Sequence, residues 1–303
     1  MLVEHDSEAR THCLLVAGRR LMLRFPCPTS PADALPDAYL PFRCSPEAGL
    51  PLFELALGDD VEQPQAQPTY ASTGQAIAYR IYRGEAGGYV VGLADRGSQR
   101  EAWLRADSSW SRLQTSLLPR CAADKRLLDF MLMRAFGFAA PRSGALLMHA
   151  SVVARGGRAM LFLGASGTGK STHSGLWLSH VAGAELVNDD NPVVALCPDG
   201  GATVSGSPWS GKTPCYRQLT LPVCAFVRLE QAPYNRLREL GGATAYAALI
   251  ASCADLPWDD VLHESTCRAV ARLASEVRVA RLRCLPDEAA ARLSLSLMDV
   301  SDI

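Results

Sequence analysis

Residues 164–172 read Gly-Ala-Ser-Gly-Thr-Gly-Lys-Ser-Thr and match the pattern G-x-x-x-x-G-K-S of a phosphate-binding loop. The apolar run 159–163 precedes this stretch, and a segment of helical character, 172–181, follows it. A buried strand, a glycine-rich turn and a helix start are the context that the motif needs, because backbone N–H groups and the helix N-terminus then face one phosphate. Lys170 is expected to reach the β- and γ-phosphates, and Ser171 to offer its hydroxyl to Mg²⁺. The predicted nucleotide-binding residues are Gly164, Ala165, Ser166, Gly167, Thr168, Gly169, Lys170, Ser171 and Thr172. The alternative is an ordinary Gly/Ser-rich turn that contains a lysine.

The hydrophobic pattern around this loop divides the chain into three parts. Strand-like runs alternate with helical runs from 141 to 303, which is typical of an α/β nucleotide-binding domain. Short strand-like runs with almost no helical periodicity fill residues 1–115 and predict a smaller β-rich domain. Between them, 116–140 contains a strongly apolar helical pattern, and we expect a linking helix there.

Composition restricts the classes of partner. The 303 residues are 48% hydrophobic and carry a formal net charge of −1, so no basic surplus favours binding to nucleic acid. The ten cysteines have no C-x-x-C spacing, which favours reduced thiols over a disulfide framework or a zinc site. The first ten residues lack the apolar core of a signal peptide, and no apolar run approaches the roughly 18 residues of a membrane helix. We therefore expect a soluble cytoplasmic protein that binds neither nucleic acid nor membrane.

Two adjacent carboxylates, Asp189 and Asp190, end a strand predicted at 185–188. Phosphoryl transfer requires a carboxylate for the metal ion and a group that accepts or orients the hydroxyl proton. Neighbouring side chains on an extended chain point in opposite directions, but a chain that curls at a strand end can bring both to one site in different roles. These residues are candidates for a metal ligand and a base, and the alternative is an ordinary Asp-Asp-Asn turn.

His149 lies in an otherwise apolar strand predicted over 145–153. A single histidine in such a strand is commonly a core residue whose hydrogen bonds are satisfied, and it can also be an active-site group. The residues alone leave both interpretations open.

Taken together, Met148-His149-Ala150-Ser151, the loop 164–172 and Asn188-Asp189-Asp190 resemble the P-loop core shared by HPr kinase/phosphorylases and phosphoenolpyruvate carboxykinases. In both families a strand with a histidine lies about fifteen residues before the loop, and an Asp pair follows the loop's helix. The resemblance implies a P-loop kinase domain of this α/β type, preceded by the smaller β-rich domain.

The resemblance also implies roles for the matching positions. Lys170 would bind phosphates, Ser171 and Asp189 would bind Mg²⁺, Asp190 would take the proton of the acceptor hydroxyl, and His149 would be an active-site residue. ATP and Mg²⁺ are the implied cofactors, and a homo-oligomer is implied by analogy with HPr kinases. The E-x-R-G-x-G segment of HPr kinases has no counterpart in this chain, and neither do the arginines with which carboxykinases bind oxaloacetate.

The segment 206–213, Gly-Ser-Pro-Trp-Ser-Gly-Lys-Thr, stands in place of the absent signature. One interpretation is a second anion-binding loop, with Lys212 near the transferred phosphoryl group and Trp209 against a ligand. The other is a plain turn with a core tryptophan. Similarly, Arg228 follows an apolar strand and is either a further cation of the site or a surface arginine.

We therefore expect an ATP- and Mg²⁺-dependent kinase that phosphorylates a hydroxyl of the serine type, on a peptide, a protein or a small molecule. The alternative from a different class is a nucleotide-dependent switch that binds ATP without transferring a phosphoryl group. A phosphorylase or carboxykinase-like reaction is a minor alternative.

Overall fold

The computed structural model describes residues 10–26, 34–46, 49–72, 76–211 and 213–298. The protein is of the mixed α/β type, and its described residues form two nine-stranded sheets. The chain divides into two compact units, Met1–Ala139 and Ala140–Ile303. Within the described residues, no helix combines the length and the apolar character needed to span a bilayer.

The first unit is built on one sheet with the strand order β3-β1-β2-β4-β9-β8-β7-β6-β5. The pairs β2–β4 and β4–β9 are parallel, and the other neighbouring pairs are antiparallel. The helix that the sequence placed between the domains, α1, packs against β7 and β8 of this unit. The elements are β1 (Arg10–Val16), β2 (Arg19–Phe25), β3 (Arg43–Cys44), β4 (Phe53–Leu57), β5 (Tyr70–Ser72), β6 (Ile77–Arg83), β7 (Tyr89–Asp95), β8 (Arg100–Ala106), β9 (Arg112–Thr115) and α1 (Ala122–Ala139).

The second unit contains the phosphate-binding loop motif. Its elements are β10 (Ala145–Leu147), β11 (Ala150–Arg155), β12 (Arg158–Leu163), α2 (Lys170–His180), β13 (Glu185–Asn188), β14 (Val193–Leu196), β15 (Ala202–Ser205), β16 (Thr220–Gln231), β17 (Arg236–Leu240), α3 (Gly242–Ile250), α4 (Asp260–Glu276), β18 (Arg278–Cys284) and α5 (Glu288–Leu295). Around the loop the strand order is β13-β11-β12-β16-β18-β17. Because β12, β16 and β18 are parallel, their carboxyl ends meet at one edge of the sheet, where the loop begins.

Two apolar layers cover the faces of this sheet. On one face, Phe162 and Val227 pack with Trp177 of α2 and Ala291 of α5. On the other face, Leu161 and its neighbours pack with residues of α3 and α4. A strand buried on both faces explains why 159–163 reads as a continuous apolar run.

The prediction of one continuous strand over 145–153 is wrong. Strand β10 ends at Leu147 and β11 begins at Ala150, while Met148 forms an isolated bridge with Cys253. The His149 N–H donates to the Ser252 carbonyl at 2.6 Å. The interruption places His149 at the edge of the sheet, where its side chain is 39% exposed rather than enclosed in the core.

Candidate active site

The loop 164–169 connects β12 to α2 at the carboxyl edge of the sheet. Gly167 and Gly169 have φ angles of 82° and 106°, in the left-handed region that favours glycine. The Thr168 hydroxyl and N–H both donate to the Ala165 carbonyl, at 2.7 and 3.1 Å, and fix the turn. Gly169 is the N-cap of α2 and has no side chain, so the first N–H groups of the helix are open to a ligand. The arrangement can bind an anion.

Lys170 starts α2 and is buried against the loop. Its Nζ donates to the carbonyls of Gly164 at 3.0 Å and Ala165 at 3.4 Å, and lies 2.7 Å from His149 Nε2. Burial lowers the pKa of the Lys170 ammonium below its usual value, and the nearby charges of Asp190 and Asp189 partly offset this effect.

A continuous chain of hydrogen bonds joins Lys170 to Asp190 through His149. His149 Nδ1 lies 2.8 Å from Asp190 Oδ1, while its Nε2 meets the lysine. An ammonium group can only donate, so Nε2 is the acceptor and the proton of a neutral His149 is on Nδ1, directed at the carboxylate. Asn191 Nδ2 donates to the second oxygen of Asp190 at 2.6 Å. The carboxylate is thus oriented by two donors, and its remaining lone pairs can accept a further hydrogen bond.

Asp189 points to a different set of partners. Its Oδ1 accepts from Ser151 Oγ at 3.0 Å, and Ser151 Oγ lies 2.6 Å from Ser174 Oγ. All three side chains are buried. Because Ser174 is three residues after Ser171 in α2, this network lies on the helix face that also presents the loop serine. The two carboxylates therefore separate into different environments at the end of β13, as expected for different roles.

Ser171 and Asp189, which the motif and the family resemblance assign to Mg²⁺, fit that ion. Asp189 Oδ2 is buried and has no hydrogen-bond partner among the described residues, and Ser171 is exposed on the first turn of α2. No group of three or more His, Cys, Asp or Glu side chains could hold a metal ion within the described part of the chain. Mg²⁺ in phosphoryl-transfer sites needs no such cluster, because it takes one or two carboxylates, with phosphates and waters as the other ligands.

The segment 206–211 packs directly behind the Asp pair. A Cβ atom on Gly211 would lie 3.1 Å from Asp190 Cβ. Ser207 Oγ donates to the Asn191 carbonyl at 2.6 Å and accepts from Asn188 Nδ2 at 3.2 Å. Trp209 is 3% exposed and is a core residue, so the interpretation in which its ring contacts a ligand is wrong. Lys212 lies outside the described residues.

A cavity of about 660 Å³ adjoins the loop on the α2 side of the sheet. Its walls are mainly apolar and come from three separate segments of the chain; they include Leu176, Leu229, Leu285 and Pro286. Gln231 Nε2 donates to the carbonyls of Gly167 and Thr168, both at 3.4 Å, and connects the cavity wall to the loop. The volume lies in the range of small-molecule sites, and the apolar walls suit a flat heterocycle attached to an anion on the loop.

Several residues that the sequence singled out lie close together in the structure. The structure brings together Lys170, His149 and Asp190, and it places Asp189 beside the helix that carries Ser171. Sequence reasoning included Ser151 in a motif without giving it a role and did not consider Ser174, although a serine in the apolar run of β11 was an available signal. It also missed the cavity, because no pattern within one segment reveals a cavity whose walls come from three distant segments.

We compared the chain with known protein-family models and with curated protein sequences, and neither comparison found a match.

Proposed function

We propose that the chain is a kinase that transfers the γ-phosphoryl group of ATP to a hydroxyl group, of the serine type on a peptide, a protein or a small molecule. The observation that carries the proposal is the hydrogen-bonded chain from the loop lysine through His149 to Asp190. It places a cation for phosphates and an oriented carboxylate at the same edge of the sheet, which are two of the parts that phosphoryl transfer requires.

In this proposal the phosphates lie on residues 164–172 and the nucleoside occupies the neighbouring cavity. Lys170 offsets the negative charge of the β- and γ-phosphates. Asp190 accepts the proton of the acceptor hydroxyl while the hydroxyl oxygen forms its bond to the γ-phosphorus and the bond to the β-phosphate oxygen breaks, releasing ADP. His149 holds Asp190 in position by donating from Nδ1. Ser171 and Asp189 would hold Mg²⁺, which supplies further charge stabilisation for the transferred group.

The variant Asp190→Asn tests this assignment, because the amide oxygen can still accept from His149 while the side chain can no longer take a proton. We expect transfer to fall by about 10²–10⁴-fold, the usual contribution of general base catalysis, with nucleotide affinity changed less than about twofold. Transfer is measured with radiolabelled ATP against cell-extract proteins, serine peptides and small alcohols. Nucleotide affinity is measured by calorimetry.

Asp199→Asn is the matched control, since this exposed aspartate lies in the turn after β14 and outside the proposed site. Transfer at the wild-type rate by Asp190→Asn would contradict the assignment of the base. If no acceptor is labelled while nucleotide changes the oligomeric state, the chain is a nucleotide-dependent switch and the kinase proposal fails.

A further inference from the structure

We propose that the phosphoryl acceptor is an anionic molecule whose carboxylate or phosphate group binds an arginine-rich surface beside the loop. This inference rests on the proposed kinase function and names the class of its substrate. We call the surface the arginine face and define it by Arg228 of β16, Arg236 and Arg238 of β17, and Arg281 and Arg283 of β18.

Strand register places these side chains on one side of the sheet. Arg281 is paired with Arg228 on one neighbouring strand and with Arg238 on the other, and Arg283 is paired with Arg236. Paired residues of neighbouring strands point to the same side, and residues two apart along a strand do so as well. The five arginines therefore form a continuous array at the carboxyl end of the parallel strands.

The array begins next to the phosphate-binding loop. Leu163, the last residue of β12, is paired with Arg228, and Gly164 follows it directly. With a strand spacing of about 4.8 Å, the backbones of Arg228, Arg281 and Arg238 lie about 5, 10 and 14 Å from that of Leu163. A molecule with an anionic group a few bonds from its hydroxyl can span such distances, so binding on this face is compatible with delivery of the hydroxyl to the loop.

Among the residues that the structure describes, the charges of the arginine face are only partly compensated. Glu230 lies 3.2 Å from Arg281 Nε and 3.1 Å from Arg283 Nε, and one carboxylate against five guanidinium groups leaves four positive charges. Arg236 and Arg238 are exposed and form no hydrogen bond or ion pair with the described residues. Like charges directly opposite each other on neighbouring strands destabilise a sheet, so the face carries an electrostatic cost that a bound anion would relieve.

The geometry of the face suits an oxyanion. Arg236, Arg238, Arg281 and Arg283 surround a small cavity of about 100 Å³. Guanidinium groups bind carboxylates and phosphates through paired, parallel hydrogen bonds, which gives direction as well as charge. The whole chain has a formal net charge of −1, so this concentration of positive charge is local and does not reflect a basic protein.

A binding experiment without nucleotide tests the arginine face independently of catalysis. The probes are three fluorescein-labelled peptides with one serine, flanked by glutamates, by glutamines or by phosphoserines. We expect the two anionic peptides to bind at least tenfold more tightly than the glutamine peptide, and the stronger of the two identifies carboxylate or phosphate as the preferred group. The double variant Arg236→Gln/Arg238→Gln should weaken binding of the anionic peptides by at least tenfold, while ATP affinity changes less than twofold.

The matched control is Arg268→Gln/Arg292→Gln, which removes the same charge from exposed positions on α4 and α5. This variant should bind the peptides as the wild type does. Equal affinity for all three peptides, or unchanged binding by the Arg236→Gln/Arg238→Gln variant, would overturn the proposal. A parallel loss of ATP affinity in that variant would assign the face to nucleotide phosphates and also overturn it.

Transfer to the serine of the better anionic peptide separates this proposal from the kinase function. We expect the Arg236→Gln/Arg238→Gln variant to raise KM for the peptide at least tenfold with little change in kcat. If other acceptors are labelled but kcat/KM does not distinguish anionic from glutamine peptides, the kinase function stands and the acceptor assignment fails. If no acceptor of any kind is labelled, the kinase function itself fails.

Discussion

Acidification should destabilise the second unit because burial keeps His173 neutral. His173 lies in α2 and is 3% exposed. Its Nε2 lies 3.0 Å from Ser294 Oγ, which donates its only proton to the Ala291 carbonyl and accepts from Trp177 Nε1. His173 must therefore donate from Nε2, and further protonation would take place at Nδ1. Burial lowers the pKa of His173 to about 4 from its usual 6.5.

The size of this effect follows from the difference between the folded and unfolded pKa values. Below pH 6.5 His173 is protonated in the unfolded chain, whereas in the folded chain it stays neutral until the pH approaches 4. The free energy of unfolding therefore falls as the pH falls from 6.5 to 4. Between pH 7.5 and pH 5.0 this linkage reduces the free energy of unfolding by about 2 kcal/mol. The full effect, reached below pH 4, is about 3 kcal/mol.

The contribution of His173 to the pH dependence of stability is measured by urea unfolding of the wild type and His173→Gln at pH 7.5 and pH 5.0. Glutamine can keep the hydrogen bond to Ser294 but does not titrate, so the variant should lose about 2 kcal/mol less than the wild type between the two pH values. The control is His180→Gln, because His180 is in the same helix and exposed. If His173→Gln shows the same pH dependence as the wild type and His180→Gln, the reasoning from burial is wrong.

Two further predictions concern packing and the cavity. A Cβ atom on Gly206 would overlap the carbonyl oxygen of Arg217, so Gly206→Ala should lower the free energy of unfolding by about 3 kcal/mol. In contrast, Gly175 has open space around it within α2, so Gly175→Ala should raise the free energy of unfolding by about 0.5–1 kcal/mol. Urea unfolding at pH 7.5 measures both variants. A loss of stability in both would contradict the argument. Leu285 lines the cavity beside the loop, and Leu285→Glu should weaken ATP binding about tenfold, or about 1.4 kcal/mol, by placing a charge against the apolar walls. Leu178→Glu is the control, on an exposed leucine outside the cavity. Equal ATP affinity of the two variants, measured by calorimetry, would place the nucleoside elsewhere.

The grouping of the candidate residues could be predicted because they lie in short, contiguous patterns. The loop motif predicts that Lys170 lies at the start of α2, and the apolar run before the Asp pair predicts that the pair lies at the end of a strand. The turn after β13 then directs Asp189 to Ser151 and Asp190 to His149, as the alternation of side chains suggests. The prediction at 145–153 failed because hydrophobicity continues through Met148, and only the bridge to Cys253 shows that the strand stops there.

The features that the sequence did not reveal depend on pairing between distant segments. Strand β17 reads Arg-Leu-Arg-Glu-Leu and has no clean apolar alternation, so it shows little sign of being a strand by itself. Its partner β18 lies about forty residues later in the chain, and only their register places four arginines around one small cavity. Each of these arginines, considered alone, looks like an ordinary surface residue, since charged side chains are mostly exposed.

The arrangement of strands would also allow the two proposed binding surfaces to serve one loop. The apolar cavity and the arginine face both use residues at the carboxyl end of β16, because consecutive side chains of a strand point to opposite sides of the sheet. Leu229 and Gln231 line the cavity on the α2 side, while Arg228 and Glu230 lie on the other side with the arginine face. One strand thus separates the apolar compartment suited to a nucleoside from the cationic compartment suited to an anionic acceptor. Insertion or deletion of one residue in β16 before Arg228 would exchange the two sets of side chains and should remove both proposed binding functions together.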